Sequence, residues 1–145
     1  MPSINRSALV PYSAEQMFQL VDDITAYPEF LPWCGGAQEH KRDENQVQAS
    51  VVIQKGSLNK SFTTLNTLTK PELIELTLLD GPFQTLNGYW RFSPLSDEAC
   101  RVTFDLEFEF ANKLVGLAVG PVFNQVANTF VDSFVERAKA VYANV

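Results

Sequence analysis

The segment Cys100–Phe110 constrains the fold more tightly than any other part of the chain. Its even positions, Cys100, Val102, Phe104, Leu106, Phe108 and Phe110, are all apolar, and its odd positions, Arg101, Thr103, Asp105, Glu107 and Glu109, are all polar. Successive side chains of a strand point to opposite faces, so this run belongs to a sheet with one wet face and one dry face. A slip of one residue would carry every phenylalanine into water, which fixes the register. The pattern predicts Asp105, Glu107 and Glu109 in solvent and a helix packed on the even face.

The same period of two recurs from Gln38 onward, broken by turn residues at antiparallel spacing. Val47, Ala49, Val51 and Ile53 share one face until Gly56 ends the run. Ile74, Leu76 and Leu78 follow, Asp80-Gly81-Pro82 turns the chain, and Leu86, Gly88, Trp90 and Phe92 form another row that Pro94 closes. Ser57–Leu68 departs from this order: it is rich in Thr and Ser, and neither parity is cleanly apolar, which predicts a bulge or an edge position. Near the start, Ile4, Arg6, Ala8 and Val10 alternate up to Pro11 and read as a first strand.

Helix signals flank this block. Ser13 and Gln16 have the spacing of a capping box, Tyr12 and Met17 that of a hydrophobic staple, and Met17, Phe18, Leu20, Val21 and Ile24 follow on one side. Tyr27–Gly36 sets large apolar side chains between two prolines and a glycine pair, which predicts a short helical turn and then a loop. After Asn112, a plausible cap, Leu114, Val115, Leu117 and Ala118 precede Phe123, Ala127, Phe130, Phe134, Ala138 and Val141 at helical spacing. Gly120-Pro121 predicts a break or kink in this tail.

A strand, two short helices, about six antiparallel strands and a long C-terminal helix make an α+β fold with the helices on one face of a twisted sheet. The 145 residues fit one domain spanning 1–145. One helix about 10–12 Å across does not fill the concavity of a wide curved sheet, so either bulky side chains or a ligand must. The expected lining comes from three places. Tyr27, Phe30, Leu31 and Trp33 stand on the Pro-restricted segment, Phe83, Leu86 and Trp90 beyond the Asp80 turn. Val102, Phe104, Leu106 and Phe108 on the last strand face Phe123, Phe130 and Phe134 on the tail helix. Tyr27, Phe30 and Trp33 read first as a loop pinned to the core and second as a lid over a pocket mouth. Asp80-Gly81-Pro82-Phe83 reads first as a turn and second as part of that mouth.

Composition narrows the function classes. Seventeen acidic against 11 basic residues give a net charge of −6, which argues against DNA or any bare phosphate backbone as the main partner. Lys41, Arg42, Lys55 and Lys60 offer at most a small basic area. Cys34 and Cys100 form no CxxC motif and there is one histidine, His40, in a polar stretch, so neither a zinc site nor a cofactor is indicated, and a reducing compartment is. Asp22-Asp23 and Glu107/Glu109 lack the confinement that acid–base work needs, and no GxSxG, P-loop or dinucleotide fingerprint occurs. The chain reads as non-enzymatic and, with no signal peptide, as a soluble cytoplasmic domain. Its longest strongly apolar stretch, Leu114–Val119, is too short for a transmembrane segment, although transient membrane contact stays compatible.

Specific residues also carry a family resemblance. Val10-Pro11-Tyr12-Ser13-Ala14-Glu15-Gln16-Met17, Tyr27-Pro28-x-Phe30-Leu31-Pro32-Trp33-Cys34 and Asp80-Gly81-Pro82-Phe83-x-x-Leu86-x-Gly88-x-Trp90-x-Phe92-x-Pro94-Leu95 resemble the START-like, coenzyme Q-binding proteins. Phe108-Glu109-Phe110-x-Asn112-Lys113-Leu114 and Phe134-x-x-Arg137-Ala138 extend the match over nearly the whole chain. The resemblance implies a helix-grip fold, in which a curved antiparallel sheet wraps a long C-terminal helix around an apolar cavity. It also implies binding of ubiquinone or another isoprenoid lipid in support of respiration. A bacterial branch of the family, which this chain resembles most, is described as toxins of toxin–antitoxin systems that bind the large ribosomal subunit and block subunit association. The resemblance carries over no metal-binding or catalytic residue.

Overall fold

A computed structural model describes residues 3–142. Strand β1 (Ser3–Val10) leads into helix α1 (Ala14–Asp22), a 3-10 turn (Ile24–Ala26) and the single-turn helix α2 (Tyr27–Phe30). Six strands follow: β2 (Cys34–Arg42), β3 (Gln46–Lys55), β4 (Leu58–Thr69), β5 (Leu73–Asp80), β6 (Phe83–Ser96) and β7 (Ala99–Phe110). Helix α3 (Lys113–Tyr142) ends the described chain. All seven strands form one antiparallel sheet in the order β1-β7-β6-β5-β4-β3-β2, so β1 returns beside β7 while the rest is a meander.

The caps form as their sequence demands. The Ser13 hydroxyl accepts from the Gln16 N–H at 3.1 Å, and the Gln16 side chain accepts from the Ser13 N–H at 2.9 Å, closing the box that starts α1. Asn112 Oδ1 accepts from the Val115 N–H at 2.9 Å and starts α3. Met17, Phe18 and Val21 are buried beneath α1.

The patterning of β7 holds. Cys100, Val102, Phe104, Leu106 and Phe108 are buried, and α3 covers them through contacts such as Phe108–Phe123, with ring centroids 4.8 Å apart. Glu107 and Glu109 are exposed; Asp105 is half-buried because Asn5 on β1 donates to its carboxylate at 2.8 Å. Opposite Leu106 stands Gly88, where β6 and β7 approach so closely that a Cβ would lie 2.1 Å from the Asp105 carbonyl oxygen. Only glycine allows that approach, as at tight bends of curved sheets.

The structure corrects some expectations and selects among others. The bulge expected in β4 is present at Thr63/Thr64, and the strand lies between β3 and β5, not at an edge. Cys34-Gly35-Gly36 is not loop but the start of β2, carrying a register shift between Cys34 and Gly36 that absorbs the glycines. Pro94 does not close β6, which pairs through it to Ser96 with a register shift. Gly120-Pro121 does not break the tail, and α3 runs on through Pro121. Pro121 is exposed on the outer side with Leu117, whose orphaned carbonyl can take water instead of the missing N–H. By length and composition α3 is also long and apolar enough to cross a membrane, although its unbroken apolar run is short. Here its buried residues, among them Phe123, Ala127, Val131, Phe134 and Ala138, pack into the fold.

Candidate functional site

Along α3 the inward residues change size in a way that leaves room. Phe123 and Phe130 are separated by seven residues, about 10 Å of helix, and between them stand Val126 and Ala127. Each ring anchors an aromatic cluster. Phe123 meets Phe108 and Phe83 at 4.8 and 4.9 Å between centroids. Phe130 meets Trp33, Phe104 and Trp90 at 5.4, 5.5 and 5.8 Å. Between the clusters, where α3 offers only Val126 and Ala127 and β3 only the small Ala49 beside Val51 and Ile53, an apolar cavity of about 70 Å³ remains.

Polar atoms are few in this lining. Thr64 and Asn66 of β4 face it, each more than nine-tenths buried, and the Thr64 hydroxyl donates to Asn66 Oδ1 at 2.7 Å. Trp33 is 7 % exposed, and its indole N–H is buried with no hydrogen-bond partner among the described residues. Tyr27 is the one lining side chain that ionises. Its hydroxyl donates to the Val21 carbonyl, and burial, reinforced by the nearby Asp22 charge, pushes its pKa far above the ordinary tyrosine value, so it stays neutral.

Seventy cubic ångströms hold a few waters, less than the roughly 150 Å³ of a cavity that takes benzene and well short of the roughly 300–1,000 Å³ of sites that enclose whole ligands. A second, outer cavity of about 240 Å³ adjoins it, lined by Pro32, Trp33, Lys55, Gln125, Val126 and Thr129. Trp33 and Val126 line both and so form the partition. Outside it, Lys55 Nζ donates to Gln125 Oε1 at 2.6 Å, tying the β3–β4 hairpin to α3.

The residues expected to line a cavity divide into two groups. Tyr27, Trp33, Leu86, Trp90, Phe104, Leu106, Phe123 and Phe130 face it. Leu31, Phe83, Val102, Phe108 and Phe134 are buried away from it, because the aromatic clusters at its two ends and the packing beneath α1 and α2 consume them. Phe30 is half-buried against Phe134, with the Arg137 guanidinium 4.9 Å from its ring centre. Asp80-Gly81-Pro82 is a turn away from the lining; a Cβ on Gly81, at φ +153°, would meet Phe62.

Sequence reasoning missed Ile24, Ala49, Val51, Ile53, Phe62, Leu76, Val126, Ala127, Thr64 and Asn66. The last two had left a trace: polar residues on the inward parity are why Ser57–Leu68 resisted assignment.

The thiols, His40 and Arg42 all lie outside the cavity lining. Burial pushes the Cys100 thiol up to about 11 and raises that of Cys34, which donates to the Gly36 carbonyl at 3.3 Å. Neither is a thiolate near neutral pH. His40 is exposed on β2, with Nε2 2.7 Å from the Ser50 hydroxyl. The small basic area does not form. Arg42 pairs with Val47 and Lys60 with Ile53, six residues along β3, which puts about 20 Å between the two ends at ~3.3 Å per residue. Arg42 is also held by Asp22, at 2.9 Å, and by Glu39.

Comparison with known proteins gives a consistent result. Residues 10–135 match the family described as polyketide cyclase/dehydrase and lipid transport. The chain is 52 % identical to the ribosome association toxin RatA of Escherichia coli over 143 residues, 99 % of this chain and 90 % of that protein. It is 27 % identical to the mitochondrial coenzyme Q-binding protein COQ10 of Drosophila melanogaster over 92 % of this chain and 57 % of the fly protein. A START superfamily protein from Mycobacterium smegmatis superposes with a TM-score of 0.80 at 19 % identity, covering 96 % of this chain and 98 % of that one. The chain belongs to the polyketide cyclase/dehydrase and lipid transport family and has its START-like helix-grip fold.

Proposed function

We propose that the protein binds ubiquinone or another isoprenoid lipid in the cavity beneath α3, without catalysis, and so supports respiration from the cytoplasm. The observation that carries this reading is the apolar cavity between the Phe123 and Phe130 clusters, partitioned by Trp33 and Val126 from a larger cavity leading outward. A ring would take up the inner space together with part of the adjoining outer cavity of about 240 Å³, and a polyprenyl tail suits an exit past Trp33. Each buried CH₂ of such a tail contributes about 0.8 kcal/mol, which offsets the opening of the partition. Neutral Tyr27, the only ionisable group in the lining, favours binding over acid–base chemistry. The similarity to a protein named for coenzyme Q binding points the same way.

Protein purified gently from a quinone-producing cell is expected to yield ubiquinone or a related isoprenoid on organic extraction and mass spectrometry. A clean extract, with no binding of added quinone, would remove the reading.

A second reading is favoured by the 52 % identity to a ribosome association toxin. On it, the chain acts as a toxin that binds the large ribosomal subunit and blocks subunit association. With the cations split between two ends of the sheet and a net charge of −6, the contact would rest on ribosomal protein or on shape more than on phosphate. Co-sedimentation with large subunits that persists at high salt is the expected signature, and no co-sedimentation at low salt would rule it out.

A further inference from the structure

We infer that the cavity offers polar contacts for the two carbonyl oxygens of a ring, one on Asn66 and the other on Trp33, and that the ligand enters head first with one carbonyl toward β4. This deepens the proposed binding of a quinone and rests on it. In a lining otherwise apolar, Thr64 and Asn66 occupy inward positions of a central strand, where an apolar side chain would pack at no polar cost. The Thr64 hydroxyl donates to Asn66 Oδ1, so the amide oxygen is occupied and its orientation held. The Nδ2 end has no protein acceptor among the hydrogen bonds of the described residues, and Asn66 lines the cavity. Trp33 lines the same cavity, and its Nε1–H is sealed from solvent without an acceptor. A buried donor left unmade is costly, and buried indole N–H groups normally find partners.

Both free groups are donors, so the ligand must bring acceptors. A ring carbonyl fits, whereas a hydrocarbon isoprenoid would leave both donors unpaired. The two sit at opposite boundaries of the space: Asn66 in the sheet wall and Trp33 in the partition toward the outer cavity. A ring with carbonyls on opposite sides can meet the first at its inner end and the second at its outer end, its tail leading on into the outer cavity. Thr64 acts as a positioning residue, since it touches the amide and presents Nδ2 inward.

The test compares two probes on wild type, Asn66→Leu and Thr64→Val. One probe is ubiquinone with a two-isoprene tail; the other is squalene, an isoprenoid with no oxygen. Affinity is read from ligand-induced thermal stabilisation, which also reports that each variant folds. Wild type is expected to bind the quinone, and Asn66→Leu to bind it about tenfold more weakly while holding squalene at least as well. Thr64→Val is expected to lose less, because it frees the amide to rotate without removing the donor. If wild type binds both probes and Asn66→Leu leaves their affinity ratio unchanged, the polar subsite is wrong while apolar binding stands. If wild type binds neither, both fail.

Discussion

Leu106 stands where packed core meets void. It is 4 % exposed, opposite Gly88 on β6, and one side of it faces the cavity. Phe108, two residues on, is wholly enclosed between Phe83 and Phe123. Truncating a buried leucine costs about 2–5 kcal/mol, more where the hole left behind cannot collapse. Leu106→Ala is expected near 2 kcal/mol, because its side chain already lacks partners on one side, and Phe108→Ala at about 4 kcal/mol. Denaturant unfolding of both variants checks this, and a Leu106 loss near 5 kcal/mol would mean a solid core. At this scale the sequence was most legible where chemistry and parity agreed, as at Phe104, Leu106 and Phe108. It was least legible at Thr64 and Asn66, because a polar residue in a strand reads as outward-facing unless something inside can use it. The failure of both parities in that strand was the available signal.

Strand identity followed from alternation, and helix α1 from its capping box. What alternation does not carry is lateral position. Nothing local in Leu58–Thr69 distinguishes a central strand with polar inward residues from an edge strand, and the contacts that decide it, with β3 and β5, are long-range. Pro121 was misjudged for a related reason. The local rule against proline in a helix counts a lost donor and a clash with the carbonyl four residues back, and the orientation of α3 eases the first by turning that side of the helix to solvent. The proline should nonetheless weaken the helix. Pro121→Ala restores a donor for the Leu117 carbonyl and is expected to raise stability by about 1–3 kcal/mol, read as a higher Tm. An unchanged or lower Tm would mean that Pro121 is held by contacts that alanine does not reproduce.

Taken whole, the molecule is a sheet curved around one long helix whose inward residues shrink at Val126 and Ala127, and the cavity lies at that point. Sequence alone posed the choice between side chains and a ligand as filling. The structure divides the space: aromatic clusters occupy both ends, and a small void with an adjoining outer cavity remains between them. The expectation of a single cavity lined by every inward aromatic ring was too generous, since ring-to-ring packing depends on distances that a sequence does not display. Both tryptophans of the chain, Trp33 and Trp90, line the void, which makes the protein its own reporter. The most direct test titrates wild type and Ala127→Leu with short-tailed ubiquinone while following tryptophan fluorescence. Leucine at 127 adds three carbons to this space, and at a cost of about 1–3 kcal/mol the variant should remain folded. Saturable quenching in wild type, lost in Ala127→Leu that still unfolds cooperatively, is the predicted result. Quenching that does not saturate, or that is identical in the two proteins, would contradict a ligand site in this cavity.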